Sequence, residues 1–314
     1  LNLDKLITVN ERPALSSILI IIGFLLIGMV VGNLLAGLAM VLIVGLGLED
    51  LLNANETIMA SPNGWWAMII GQAIAAICTF IIPAIVYWKL VEKKGLNSLG
   101  LNKLPDFKTV ILVISLMLLF APFNGWVQSI NEKLHLPSSL SGLETFMKDM
   151  EQSLAELTKF FTNFSSVVQL FFALVVIAAI AGIGEELIFR GLLQRKINKG
   201  VSNHHLAIWV SATIFSAIHI QFYGFFPRMF LGAMFGYFFY YSGNLWVPII
   251  AHIFNNALAV VMIDLVNQKK VSPDLEKLDT VPWYWTVLSL SIFFVLFYRF
   301  IQYQKTIESE TNLN

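Results

Sequence analysis

The stretch Gly182-Ile183-Gly184-Glu185-Glu186-Leu187-Ile188-Phe189-Arg190-Gly191 closes an almost wholly apolar run that begins at Val167. That run is long enough for a membrane helix, and an ionised side chain inside one costs at least ~2.5–3.5 kcal/mol on insertion scales. Charges kept in such a place pair with one another or do chemistry. On a helix Glu186 and Arg190 stand four apart and share a face, which suits an ion pair; the same pair reads equally as a strut between helices. Glu185 is turned about 100° from Glu186 and has no local partner. It is the first candidate for function.

Working outward, the composition agrees with a membrane setting. The chain is 57% hydrophobic and 13% charged, with a mean hydropathy of +0.73, whereas a soluble domain carries roughly 25% charged residues. Its 20 basic and 20 acidic residues cancel, so nothing in the charge points to nucleic acid as a partner. Cys78 is the only cysteine, which excludes an internal disulfide and a cysteine-based metal cluster, and its apolar neighbours predict a buried, inert thiol. The first apolar run is too long for a cleavable signal peptide.

The expected fold is all-α, a polytopic membrane helical bundle with about eight transmembrane helices, at about 20 apolar residues each. The apolar runs are Leu15–Leu46, Trp65–Trp88, Thr109–Ile130, Val167–Leu187, Leu206–Ile220, Met229–Tyr241, Val247–Val266 and Trp283–Phe300. Pro83 and Pro122 are expected to kink their helices, and Pro248 reads as a helix-start residue. Between the third and fourth runs, Leu143, Phe146, Met147, Met150, Leu154, Leu157 and Phe161 recur at helical spacing among charges. This segment is either a solvated cap on the bundle or an interfacial helix framing a lateral entrance. The chain thus divides into N-terminal helices with their amphipathic connector (1–164), a core (165–267), and a last helix with its tail (268–314).

Lysine and arginine in short loops orient a membrane protein. Lys89, Lys93, Lys94, Lys103 and Lys108 mark the second connection, and Arg195, Lys196 and Lys199 the fourth. Glu49, Asp50 and Glu56 stand in the first connection without a basic residue. Both termini are therefore expected on the cytoplasmic side, with Arg299 and Lys305 agreeing. Lys269, Lys270 and Lys277 disagree mildly, in the company of Asp274, Glu276 and Asp279.

Further polar residues lie in the later apolar runs. His219 follows Phe215 by four residues, and His252 precedes Asn256 by four, one helical turn apart. A lone histidine in such a run is more often a hydrogen-bonded packing residue than a catalyst. A glutamate, two histidines and an asparagine from three helices shift that balance, because facing helices commonly assemble sites in a bundle interior. Asn255 reads as a packing residue, His135, His204 and His205 as interfacial loop residues, and Asp264 as a solvated one. Peptide hydrolysis would use this set, with a carboxylate as general base on water, an imidazole sharing it, and neutral donors for the oxyanion. Glu185, His219 and His252 would equally make a two-histidine, one-carboxylate metal site. No His-Glu-x-x-His and no Gly-x-Ser-x-Gly occurs.

Taken together, Glu185-Glu186-x-x-x-Arg190, Phe215-x-x-x-His219 and His252-x-x-x-Asn256 resemble the three motifs of the CPBP family. This is the family of CAAX proteases and bacteriocin-processing enzymes, also called Abi, and includes the type II CAAX prenyl endopeptidases. Each motif alone is weak; all three in order, each in its own apolar run, make a strong match over about Val167 to Val266. The resemblance implies an intramembrane endopeptidase whose site opens towards the cytoplasm. Carried over, it implies Glu185 and His219 as the pair that activates water and His252 and Asn256 as the oxyanion pair, with Glu186 and Arg190 supporting. It implies a peptide or lipidated-protein substrate and a place in a bacterial cell membrane. No cofactor is expected. The alternative is zinc or another divalent metal, held by Glu185, His219 and His252. A transporter, or a bacteriocin-immunity protein without catalysis, stays open as a different class.

Overall fold

The computed structural model describes residues 12–47, 54–272 and 282–313. Glu49, Asp50, Asp274, Glu276, Lys277 and Asp279, on which the expected orientation partly rests, lie outside the described residues.

The described chain forms ten helices. They are α1 (Ala14–Val44), α2 (Ala54–Ala60), α3 (Gly64–Val91), α4 (Phe107–Asn131), α5 (Ser141–Thr162), α6 (Val167–Val201), α7 (His204–Ala217), α8 (Phe225–Ser242), α9 (Trp246–Asn267) and α10 (Trp283–Leu313). Local chemistry starts several of them. Asp106 caps α4 by accepting from the Thr109 N–H (3.0 Å), Ser166 caps α6 from Gln169 (3.3 Å), and Asn203 caps α7 from Leu206 (3.1 Å). Pro248 sits in the first turn of α9, where its missing N–H costs nothing.

Six of the ten, α1, α3, α4, α6, α9 and α10, are long and apolar enough to cross a membrane. The protein is an integral, multi-pass helical bundle, and of the eight expected spans six are candidates among the described residues. Helix α7 has 14 residues, about 21 Å at 1.5 Å per residue, against about 30 Å of hydrocarbon. Helix α8 carries Pro227, Arg228 and several tyrosines. The two form a hairpin packed along α6.

The fourth apolar run also extends further than its composition suggests. Helix α6 does not stop near Leu187 but continues to Val201, and Arg195 and Lys196 are buried helix residues, not loop charges. Lys196 Nζ lies 2.8 Å from Glu92 Oε1, beyond the end of α3, and the Arg195 guanidinium donates to Ser98 O (2.8 Å) and lies over the Trp88 ring. Two of the three loop cations expected there are thus paired inside the bundle.

Two clusters make the core. Around the middle of α6, Leu187 to Leu193 pack on Tyr87 and Trp88 of α3, Phe215 of α7 and Phe239 of α8. On the other side of α8, Phe235 and Phe238 pack with Phe120 of α4, Ala251 of α9 and Phe293 and Phe300 of α10. Three of the aromatic residues of α8, Phe235, Phe238 and Phe239, are thus core. The apolar outer faces of α1 and α10, from Leu15 to Leu42 and from Trp283 to Tyr298, stay exposed and suit contact with lipid.

Other single-residue readings are corrected as well. His204 and His205 are the first residues of α7, not loop residues; His204 stacks on Tyr240 and His205 Nδ1 is 2.8 Å from the Tyr237 hydroxyl. Asp264 is buried and accepts from Gln268 (2.7 Å), not solvated. Cys78 is half-buried where α3 approaches α1. His135 does lie in the exposed connection after α4, 3.1 Å from Glu144.

Helix α5 is amphipathic as its spacing predicts. Met147, Leu154 and Leu157 turn inwards while Leu143 and Phe146 stay exposed. Its end is tied down by Trp65 Nε1, which donates to Phe161 O (3.1 Å), and Glu151 accepts from the Tyr223 N–H (3.3 Å).

Candidate active site

Helix α6 places the acidic pair where its backbone is unusual. Wide, i→i+5 turns run over Leu174–Ile180 and Leu187–Gln194, and the ordinary α segment Ala181–Glu186 lies between them. Such turns are less favourable than regular helix and recur at functional sites. Two glycines let neighbours come close. A Cβ on Gly182 would lie 3.3 Å from the Ile253 backbone N of α9, and one on Gly184 would lie 2.9 Å from Phe80 Cβ of α3.

Glu186 is fully buried. Its Oε1 accepts from Arg190 Nη1 (2.6 Å) and lies 2.7 Å from His252 Nδ1 on α9, while its Oε2 has no partner. Arg190 spends its other nitrogen on Gly232 O of α8 (2.8 Å) and lies over the rings of Phe215 and Phe235. The pair is therefore both an intrahelical bridge and a strut to α8. A carboxylate engaged by Arg190 can only accept, so His252 Nδ1 carries the hydrogen in that bond. His252 Nε2 is left facing Glu185 Oε2 at 3.7 Å. Stacking on Phe235 and an edge contact with Phe215 fix the His252 ring plane.

His219 lies just beyond α7. Its Nδ1 is 2.8 Å from Phe215 O, one turn back, which again assigns the hydrogen to Nδ1 and leaves Nε2 free. Phe215 thus does two jobs, presenting a carbonyl to His219 and a ring to Arg190 and His252. Asn256, one turn after His252, donates to Ile177 O (3.3 Å).

Glu185, His219, His252 and Asn256 all line one cavity of about 280 Å³, together with Phe215, Phe235, Asn124, Gln128 and Arg228. The four residues read from the sequence are brought together. Asn255, expected only to pack, lines the same cavity. Asn124, Gln128 and Arg228 were not singled out by spacing. A charge at position 228, among Phe225, Phe226 and Phe230, is a sequence signal that could have found Arg228; Asn124 and Gln128 carry none.

A second, more apolar cavity of about 370 Å³ adjoins the first, sharing Asn124, Leu231 and Asn255 and lined further by Met117, Phe120 and Phe254. Both cavities lie towards the Asn131 end of α4, where Asn131 bonds to Phe222 O and the Phe226 N–H. The Glu92–Lys196 pair and the bond from the Leu245 N–H to Gly100 O lie at the opposite end. Among the described residues no three His, Cys, Asp or Glu side chains group closely enough to hold a metal ion.

A half-buried carboxylate, two oriented imidazoles and an amide thus meet around one small cavity inside the helical bundle. Residues 167–258, from the start of α6 into α9, match the family described as Type II CAAX prenyl endopeptidase Rce1-like. The chain carries a domain of that family over those residues, as its three motifs imply. Neither a curated protein nor a solved structure matches the chain.

Proposed function

We propose that the protein is an intramembrane endopeptidase that uses Glu185 to activate water against a peptide bond. The substrate is a peptide or lipidated protein, of CAAX type or of the small processed-peptide type. The observation that carries the reading is the convergence of Glu185, His219, His252 and Asn256 on one cavity among membrane-length helices. Glu185 takes a proton from water while His219 Nε2 holds the same water in line. The oxygen adds to the carbonyl carbon, and the proton passes from Glu185 to the leaving amine. The products are a new carboxylate and a new amino terminus. Asn256 donates to the oxyanion through an N–H. His252 donates there only when Nε2 is protonated, and Glu186 at its other nitrogen is placed to balance that charge. The neighbouring apolar cavity gives room for a hydrophobic part of the substrate.

With the six candidate spans crossing a bacterial cell membrane, the lysine rule puts both termini and the Glu92–Lys196 end on the cytoplasmic side. The cavity then lies in the opposite half of the bundle, away from the cytoplasmic opening that the resemblance implies.

The test is cleavage of quenched prenylated and unprenylated peptides by the purified protein, beside its Glu185→Gln variant. The substitution keeps shape and hydrogen bonding but removes basicity, so turnover should fall by at least ~10²-fold with little change in peptide binding. Full turnover in folded Glu185→Gln would remove the base from the scheme. Activity should also survive exhaustive chelation without re-addition of metal. Loss on chelation, restored by one equivalent of zinc, would make Glu185, His219 and His252 ligands instead.

A further inference from the structure

Arg228 stands in the first turn of α8 and lines the catalytic cavity with Glu185, His219 and His252. None of the three motifs contains it, and the steps above leave it unused. Its Nη2 donates to the side-chain oxygen of Gln221, a neutral amide, while its Nη1 is buried with no acceptor. A charged donor left bare in a buried place is costlier than a neutral one, so a site built around it takes its acceptor from outside the chain.

The backbone of the same turn offers no competing donor. The Phe225 and Phe226 N–H groups are taken by Phe222 O and Asn131 Oδ1, the Arg228 N–H by Gly224 O, and Pro227 has none. Gly224 leaves room for the guanidinium, since a Cβ there would lie 3.0 Å from Arg228 Nη2. Asn124 Oδ1 is a second buried atom without a partner on the cavity, an acceptor where Nη1 is a donor. The end of a peptide chain presents the matching pair, a carboxylate and the N–H before it.

We infer that Arg228 binds a carboxylate of the substrate, that of its free C-terminus, so that the site reads how far the scissile bond lies from the chain end. The planar guanidinium offers paired N–H groups of the spacing a carboxylate accepts. Arg228 is then a specificity-determining residue on the leaving-group side. This rests on the peptidase reading.

The probe is a fluorescence-quenched peptide with a prenylated cysteine three residues before its end, made as the free acid, as the C-terminal amide, and as an amide with glutamate at the last position. The purified full chain should cleave the acid with a KM about 10- to 100-fold below that of the plain amide, the range for a lost charge-assisted hydrogen bond. In Arg228→Gln that preference should vanish, mainly through a raised KM for the acid, and Arg228→Lys should keep part of it. Recovery by the glutamate amide would overturn the C-terminal assignment in favour of a side-chain carboxylate. Equal KM for acid and amide in the parent, or an undiminished preference in Arg228→Gln, would overturn the role of Arg228 altogether while leaving the peptidase intact. If no peptide is cleaved, the peptidase reading fails on its own. Direct binding of acid against amide to Glu185→Gln, with and without Arg228→Gln, then still decides whether Arg228 holds a carboxylate.

Discussion

Helix α6 carries two buried ion pairs six residues apart, and they behave as opposites. In both, carboxylate and cation are almost wholly removed from solvent, at 1% exposure or less. The Glu92–Lys196 pair is knitted into its surroundings, with the Tyr87 hydroxyl on the same carboxylate oxygen at 2.6 Å and the Tyr87 ring beside the ammonium. The Glu186–Arg190 pair leaves Glu186 Oε2 bare and passes its charge on to His252, whose far nitrogen faces Glu185 and the cavity. Burial of charge therefore does not distinguish a structural lock from a pair that supports the proposed site. What distinguishes them is whether the chain of contacts ends inside the protein or at a group that water and substrate reach.

Removing Lys196 gives the largest expected effect. Lys196→Met strands Glu92 in the interior, and breaking one partner of a buried pair costs about 3–5 kcal/mol. Chemical denaturation in detergent should report that loss, while the folded fraction keeps its parental turnover. A variant of normal stability with abolished turnover would place the Glu92–Lys196 pair in the working site and erase the contrast.

This pair also marks where the sequence stopped being readable. The motif spacings located Glu185, Glu186, Arg190, His219, His252 and Asn256, because a four-residue repeat on a helix puts side chains on one face whatever surrounds it. The six membrane-length helices were legible for the same kind of reason, since length and apolarity are local properties. Arg195 and Lys196 looked like loop charges because the groups that satisfy them, Ser98 and Glu92, are 97 and 104 residues away in the chain. Helix α7 looked like a span because an apolar run does not say where its backbone will turn. Arg228 and Asn124 were missed because their meaning is an unfilled hydrogen bond, which exists only once the cavity does.

The next effect, on chemistry alone, comes from the other end of the comparison. Asn256→Ala removes a donor proposed for the oxyanion, which typically costs ~10²–10³ in kcat, about 2.7–4 kcal/mol. KM should stay within a few-fold, since the bond strengthens only as the carbonyl oxygen gains charge. Asn255 also lines the cavity, 3.4 Å from the Asn256 oxygen, so Asn255→Ala should slow turnover less, by disturbing its neighbour. Single-turnover cleavage by the two variants separates them. The reverse order would turn α9 by one residue and move the donor to Asn255.

The smallest effect tests whether the lock at Glu92 is held by its cation or by its whole network. Tyr87→Phe deletes only the hydroxyl that donates to Glu92 Oε1 at 2.6 Å. The ring stays beside Lys196, and Lys196 stays on the same oxygen, so no charge is stranded. The expected loss is about 1.5 kcal/mol, the lower end for a hydrogen bond to a charged group, because the acceptor keeps its stronger partner. Denaturation midpoints for Tyr87→Phe and Lys196→Met, measured side by side in the same detergent, make the comparison. Turnover should be unchanged in Tyr87→Phe, since neither Tyr87 nor Glu92 lines the cavity proposed as the active site. A loss as large as that of Lys196→Met would mean the carboxylate depends on the phenol as much as on the ammonium. The lock would then be a cooperative network like the one around Glu186, differing from it only in having no path to the cavity.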